Sequence, residues 1–418
     1  MCVDHHGMQT LNTDFVLERI PASRESLRIA VVTETYPPEI NGVSLTLARL
    51  VEQLHERNHD IQLFRPRQSA ADAPDQGQGF NEVLMRGIPV PKYPSLRMGL
   101  PSKRALVRLW SVHRPDIVHI ATEGPLGWSA LQAARVLKLP VTSDFRTHFE
   151  TYSRHYGLGW LQTPVAAYLR KFHNRTDCTM VPTQALQREL HDKGYRNLEV
   201  VMRGVDTTLF NPARRNPALR AAWGAGDGDC VITCVGRLAP EKGLGLLTHV
   251  FSTLRKAQAN VRLVLVGDGP MRAELMRMCP QALFVGERRG EDLAAHYASA
   301  DMFVFASLSE TFGNVVPEAM ASGLPVVAFD HAAAAELIID GVNGVKVHKA
   351  DEAGFHLATH RLAADANLRQ RLAERSLATA QSLEWGSVAA KFESVLFRVL
   401  RTGSAPSTGT LDNAVPAR

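Results

Sequence analysis

Leu27–Glu34 reads LRIAVVTE and is followed by the loop TYPPEINGV (35–43) and a helical pattern from Ser44 to Arg57. A β-branched apolar run that ends in a Pro/Gly loop and then takes up a helical apolar period is a strand–loop–helix unit, with its glycine at the C-terminal end of the strand. The same order recurs at DIQLFRP (60–66), DIVHIAT (116–122), PVTSDF (140–145) and CTMVP (178–182), with helical stretches between most of them. Short apolar strands alternating with helices predict a parallel sheet covered on both faces. The rhythm restarts at VITCVG (231–236) and continues through VRLVLVG (261–267), ALFVG (282–286), DMFVFAS (301–307) and LPVVAFD (324–330). The expected fold class is α/β, with two doubly wound domains.

Length agrees with that reading, because 418 residues exceed the ~250–300 that one hydrophobic core normally organises. The boundaries expected are a disordered lead at 1–26, a first domain at 27–205, a connection at 206–228 within RGVDTTLFNPARRNPALRAAWGAGDGD, and a second domain at 229–383. A periodic helix, EWGSVAAKFESVLFRVL, is expected within 384–401, and a flexible tail over 402–418. With 45% hydrophobic and 21% charged residues the chain is neither disordered nor fibrous in composition. No run approaches the ~20 apolar residues that cross a bilayer, and Met1–Arg24 lacks an apolar signal core, so a cytoplasmic location is expected. The five cysteines show no CxxC spacing and read as buried thiols. The net charge of +5 suits acidic partners such as nucleotide phosphates or anionic headgroups, and equally a solvated surface. Nothing in the chain calls for nucleic acid as a partner.

Ligands of open α/β sheets bind beyond the C-terminal strand ends, where loops lead into helix N-termini. GRLAPEKG (236–243) follows a strand and places Arg237 and Lys242 beside a helix start, suited to the charge that builds on a departing diphosphate. In SETFGNVVPEAMA (309–321), Glu310 and Glu318 are separated by seven residues. Glu310 is placed to accept from sugar hydroxyls and Glu318 from ribose hydroxyls, while the amides of Phe312, Gly313, Asn314, Val315 and Val316 face phosphate. A cap and a surface charge are the plainer reading of the two glutamates. Gly42, in Asn41-Gly42-Val43, permits close backbone approach to a ligand, or serves a simple tight turn. After the fourth strand, SDFRTHFETYSRHYG (143–157) crowds Arg146, His148, Tyr152, Arg154, His155 and Tyr156 together, which favours function. VGDGPMR (266–272) has Arg272 where a dinucleotide loop needs its third glycine. Asp227 and Asp229 form a DxD inside a glycine turn, and no metal site is expected.

Taken together, Arg237…Lys242 and Glu310-x7-Glu318 resemble the signature of the retaining glycosyltransferases of family 4. The resemblance runs from about Leu27 to Leu400 and includes the NGV loop, GRLAPEKG, VGDGP, SLSETFGNVVPEAMASGLPVVA and the helix opening at Trp385. It implies the GT-B fold, two Rossmann-like domains facing across a cleft, with the last helix returning to the first domain. It also implies a metal-independent transfer with no cofactor, in which a nucleotide-diphosphate sugar is co-substrate. Arg237 and Lys242 stabilise the leaving diphosphate, Glu310 holds the donor sugar, Glu318 the ribose, and Gly42 approaches the phosphates. The base pocket falls near Gly286, within Val285–Arg288. Family members often carry a His-Thr pair after the fourth strand, with the histidine near the donor sugar; here Arg146-Thr147 stands there, and His148, two positions on, is expected to take the histidine's catalytic part. Arg146, Tyr152 and Arg154 are placed on the acceptor side.

GIPVPKYPSLRMGLP (87–101) resembles the matching stretch of family members that act on glycerolipids and phosphoinositides, so a hexosyl group, mannosyl first, and a lipid or saccharide acceptor are expected. The helix after it sets Lys103, Arg104 and Arg108 beside Leu106, Val107, Leu109 and Trp110, and either rests on an anionic membrane or packs on the sheet. A nucleotide-sugar 2-epimerase of the same fold and a non-catalytic sugar-nucleotide binder are the competing functions.

Overall fold

The computed structural model of the chain describes residues 25–39, 41–90, 93–146 and 162–403. The expected disordered lead and flexible tail lie almost wholly outside the described residues. The first domain contains β1 (Arg28–Val32), α1 (Gly42–Glu56), β2 (Asp60–Pro66), β3 (Gln76–Gly77), β4 (Phe80–Met85), β5 (Gly87–Val90), β6 (Tyr93–Gly99) and α2 (Lys103–Val112). It continues with β7 (Ile117–Ile120), α3 (Pro125–Val136), β8 (Val141–Asp144), α4 (Gln162–His173), β9 (Cys178–Val181), α5 (Gln184–Asp192) and β10 (Leu198–Val200). Its eight-stranded sheet has the order β10-β9-β8-β7-β1-β2-β4-β3, and the β3–β4 pairing is antiparallel. β5 and β6 pair with each other as a separate hairpin, which is the form taken by most of GIPVPKYPSLRMGLP.

The two-residue side-chain period of β1 shows why its whole run is apolar. Ile29 and Val31 pack with Leu47, Leu50 and Leu54 of α1 on one face. Ala30 and Val32 pack with Leu106 and Trp110 of α2 and Leu126 of α3 on the other. α1 begins two residues earlier than its apolar period predicts, because Asn41 Oδ1 accepts from the Val43 and Ser44 amides at 3.0 and 2.9 Å. In α2, Leu106 and Trp110 are buried and Trp110 meets Phe64 edge-on at 5.6 Å. The apolar stripe of α2 is thus taken up by the sheet, and Lys103, Arg104 and Arg108 are its exposed side.

The second domain contains α6 (Pro217–Ala222), β11 (Cys230–Val235), α7 (Leu244–Ala257), β12 (Val261–Val266), α8 (Arg272–Met278), β13 (Leu283–Gly286), α9 (Gly290–Ala298) and β14 (Met302–Phe305). After these come α10 (Val315–Ala321), β15 (Val326–Phe329), α11 (Ala332–Leu337), β16 (Gly344–Val347), α12 (Glu352–Ala364) and α13 (Ala366–Gln381). The six strands, in the order β13-β12-β11-β14-β15-β16, are all parallel. β16, whose sequence GVKV carries a lysine, adds an edge strand to the five apolar runs seen in the sequence.

Residues read as a connection at 206–228 pack onto this second domain. Phe210, Trp223 and Ala225 sit in its core, and Arg220 donates to Asp301 Oδ2 at 2.9 Å. Asp229 of the DxD accepts from the Gly226 amide at 2.9 Å, a turn-forming bond. The chain then returns in α14 (Trp385–Gly403), which places Phe392, Val395 and Leu396 in the first-domain core. Burial of side chains of this size stabilises by on the order of 1.5–3 kcal/mol each. Glu393 fixes the helix by accepting from Arg57 at 2.6 Å and lying 2.9 Å from His59 Nε2.

Candidate active site

The loop after β11 is pressed against the end of β14. Gly243 has φ +66°, and a Cβ built on it would lie 2.3 Å from the Ala306 carbonyl oxygen, so a residue with a side chain does not fit. That close approach brings Lys242 beside Glu310, with Nζ and Oε1 2.5 Å apart. Ser307 Oγ donates to the same carboxylate oxygen at 2.8 Å. Arg237 pairs with Glu241 in the turn between them. Two cations expected at a diphosphate therefore rest on two carboxylates of their own site.

Glu318 lies in the first turn of α10, where an acidic side chain suits the helix dipole. Tyr297 of α9 donates its hydroxyl to Glu318 Oε2 at 2.9 Å. Burial pushes the Glu318 carboxyl up to about 7, against the lowering effect of that hydrogen bond. Tyr297 is itself held edge-on against Phe210 at 5.7 Å, so its hydroxyl has little freedom. Gly313, at φ +88°, turns the chain between Glu310 and α10. One expectation for this loop needs correction. The Val316 amide already donates to the Gly313 carbonyl at 3.1 Å, since the first turn of α10 is closed, and it does not face a phosphate.

The first domain meets this loop at Gly42 and Thr46. Asn314 Nδ2 donates to Thr46 Oγ1 at 3.2 Å, and a Cβ on Gly42 would stand 4.0 Å from the same nitrogen. Arg203, after β10, lies with Cζ 5.7 Å from the Phe312 ring centroid and Nη1 3.5 Å from Asn314 Oδ1. Arg146, at the end of β8, pairs with Asp144. Burial works against the charge on Asp144, but Arg146 and then His119 outweigh it and hold the carboxyl well below the usual range.

The structure thus gathers Arg237, Lys242, Glu310, Phe312, Gly313, Asn314, Val315, Glu318, Gly42 and Arg146 around one interdomain region. Gly286 ends β13, where Arg288 folds back to donate to the Val285 carbonyl at 2.6 Å. His148, Tyr152 and Arg154 lie outside the described residues. Sequence reading missed Tyr297 and Arg203. Tyr297 sits in an ordinary amphipathic helix, and Arg203 precedes a stretch with three more arginines before β11, so neither stands out by residue type.

Residues 40–209 match the family described as Glycosyltransferase Family 4, and residues 229–365 the family described as Glycosyl transferases group 1. The chain is 36% identical to a GDP-mannose-dependent alpha-mannosyltransferase of Mycobacterium tuberculosis, over 80% of this chain and 89% of that protein. It is 30% identical to a GDP-mannose-dependent alpha-(1-6)-phosphatidylinositol monomannoside mannosyltransferase of Mycolicibacterium smegmatis, over 80% and 89%. Among solved structures, sucrose-phosphate synthase of Thermosynechococcus elongatus superposes with a TM-score of 0.72 at 18% identity, covering 90% of this chain and 100% of that one. The fold is GT-B, and the protein is a glycosyltransferase. It belongs to glycosyltransferase family 4.

Proposed function

We propose that the enzyme is a retaining hexosyltransferase that takes mannose from a GDP-sugar and passes it to a hydroxyl of a glycerolipid or glycolipid. The observation that carries this reading is the contact between Lys242 and Glu310, 2.5 Å apart at the ends of neighbouring strands β11 and β14. Breaking the bond between sugar and diphosphate builds negative charge on the leaving oxygen, which Arg237 and Lys242 stabilise. As Lys242 turns to phosphate, Glu310 gives up its ammonium partner and accepts from a sugar hydroxyl. Retention requires the acceptor oxygen to bond the anomeric carbon on the face that the diphosphate leaves. The GDP-mannose choice follows the names of the relatives.

Membrane contact, on this reading, is electrostatic. Leu106 and Trp110 are buried in the domain, so α2 offers Lys103, Arg104 and Arg108 to anionic headgroups. The test uses GDP-mannose or UDP-glucose with vesicles of phosphatidylglycerol containing a glycosyl diacylglycerol. We expect an α-linked product, nucleoside diphosphate release that depends on acceptor, and loss of vesicle binding as salt rises. Turnover should persist in excess EDTA, because the described residues gather no group of three metal-ligating side chains. Release without acceptor, or donor epimerised at C2, overturns transfer; loss in EDTA that Mg²⁺ restores overturns metal independence.

Glu318 makes donor affinity depend on pH. The group is raised to about 7, so it is protonated below that value and ionised above it. Ribose hydroxyls donate best to the ionised form, so GDP affinity should fall as pH drops from 8 to 6. Replacing Tyr297 with Phe removes a hydrogen bond that favours the ionised form, and should move the midpoint upward. Glu318→Gln should raise donor KM, flatten the pH dependence and leave Tm unchanged or higher, since no charge is then buried. Calorimetric titration of GDP at several pH values checks the affinity and its pH dependence, donor kinetics the KM, and thermal melting the Tm.

A further inference from the structure

Arg203 and Arg146 remain without a role in the leaving-group chemistry, and their surroundings are unusual. They line one cavity of the first domain together with Thr46, Asp144 and Pro182, and Trp385 and Phe392 of α14 form part of its wall. Arg146 is 8% exposed, and its Nε has no hydrogen-bond partner among the described residues. Arg203 has a ring face and an amide oxygen as neighbours, and no carboxylate within ion-pair distance among the described residues. Asp144 is engaged by Arg146 and Glu310 by Lys242, so neither carboxylate is paired with Arg203. Burial, then the nearby Arg146 guanidinium, push Arg203 down to about 9. A buried guanidinium beside a second one that disfavours its charge, the second carrying an unsatisfied buried donor, is costly unless an anion joins them. Guanidinium is also the group best shaped for carboxylate or phosphate oxygens.

We infer that Arg203 and Arg146 form an anion pocket that reads a negatively charged headgroup, carboxylate or phosphate, on the acceptor. This rests on the transferase reading above and names the class of acceptor. The side is set by position. Arg146 ends β8 of the first domain, and Arg203 lies between that strand end and the Phe312–Asn314 loop of the second. The donor diphosphate has Arg237 and Lys242 of its own. An acidic acceptor group held here presents a neighbouring hydroxyl to the donor sugar near Glu310, and a neutral headgroup leaves Arg203 buried without a carboxylate partner.

The direct test needs no turnover. Enzyme saturated with GDP is melted with and without 20 mM inorganic phosphate, against sodium chloride of equal ionic strength. The wild type should gain roughly 1–2 °C from phosphate; Arg203→Gln should gain nothing, and Arg203→Lys should keep part of the shift. A phosphate shift that survives in Arg203→Gln overturns the pocket. The source is then read by kinetics on a matched pair of acceptors, glucuronosyl and glucosyl diacylglycerol in neutral vesicles. Wild type should favour the charged acceptor at least tenfold in kcat/KM, and Arg203→Gln should abolish that preference with GDP affinity unchanged within twofold. Weakened GDP binding in Arg203→Gln would assign the arginine to the donor and overturn the proposal. Equal loss on both acceptors would mark a merely structural role and overturn it too. Should Arg203→Gln not fold, the preference is read from Arg203→Lys, where it should shrink without vanishing; an unchanged preference there overturns the proposal. If the wild type transfers to neither acceptor but shows the phosphate shift, the glycerolipid-acceptor reading fails and the anion pocket stands.

Discussion

Replacing Lys242 with alanine should lower kcat about 10²–10³-fold, the cost expected when a group stabilising transition-state charge is lost. Arg237→Ala should fall in the same range, since both cations stand at the loop where the diphosphate departs. The two variants should nevertheless differ in a way that the geometry supplies. Lys242 holds Glu310 at 2.5 Å, whereas Arg237 pairs with Glu241 in its own turn. Loss of Lys242 leaves Glu310 with the Ser307 hydroxyl, so the carboxylate that should meet the sugar is also displaced. A cycle of Lys242→Ala with Glu310→Gln should therefore be non-additive, whereas Arg237→Ala with Glu310→Gln should come nearer to additivity. Steady-state kinetics on the wild type, the three single variants and the two doubles measure this. Near-normal turnover in both single cation variants would remove the leaving-group role. Tm should move by only a few degrees, because the Lys242–Glu310 pair is partly open to solvent, with side-chain exposures of 22% and 15%.

Glu310→Gln is expected to lower kcat about 10²-fold with a smaller change in donor KM. Glu310 stands at the strand end where the sugar reacts, so its contact matters most as the bond to the diphosphate breaks. The amide keeps the shape but offers a weaker acceptor, and it no longer balances Lys242 before phosphate arrives. Glu318→Gln should do the reverse and raise donor KM, because ribose is held alike in ground and transition states. Donor kinetics at saturating acceptor separate the two. If Glu310→Gln raises KM alone while Glu318→Gln lowers kcat alone, the assignments are exchanged; if neither constant moves in either variant, the paired-glutamate site is wrong.

Much of this enzyme was written locally in its sequence. Two trains of apolar strands, each ending in a glycine-bearing loop, predict two parallel sheets because a strand buried on both faces has no polar side to show. Arg237, Lys242, Glu310 and Glu318 were legible because a strand end that leads into a helix is where α/β sheets bind ligands, whatever the rest of the chain does. Tertiary packing decided what local pattern cannot. The apolar stripe of α2 would serve a membrane or a sheet equally well, and the neighbouring Phe64 ring settles it for the sheet. Residues 206–228 have the composition of a connection, yet Phe210 and Trp223 enter the second core once β11 and β14 make a surface for them. Tyr297 beside Glu318, Lys242 on Glu310, and Arg203 near Arg146 join residues 21, 68 and 57 positions apart. Spacing along the chain carries no record of such pairs, because they exist only after each sheet has aligned its strand ends and α14 has bound the second domain's chain back onto the first. The sequence alone determined the fold class and the residues able to carry charge at the cleft. The fold determined which of those charges neutralise one another and which are left for a substrate.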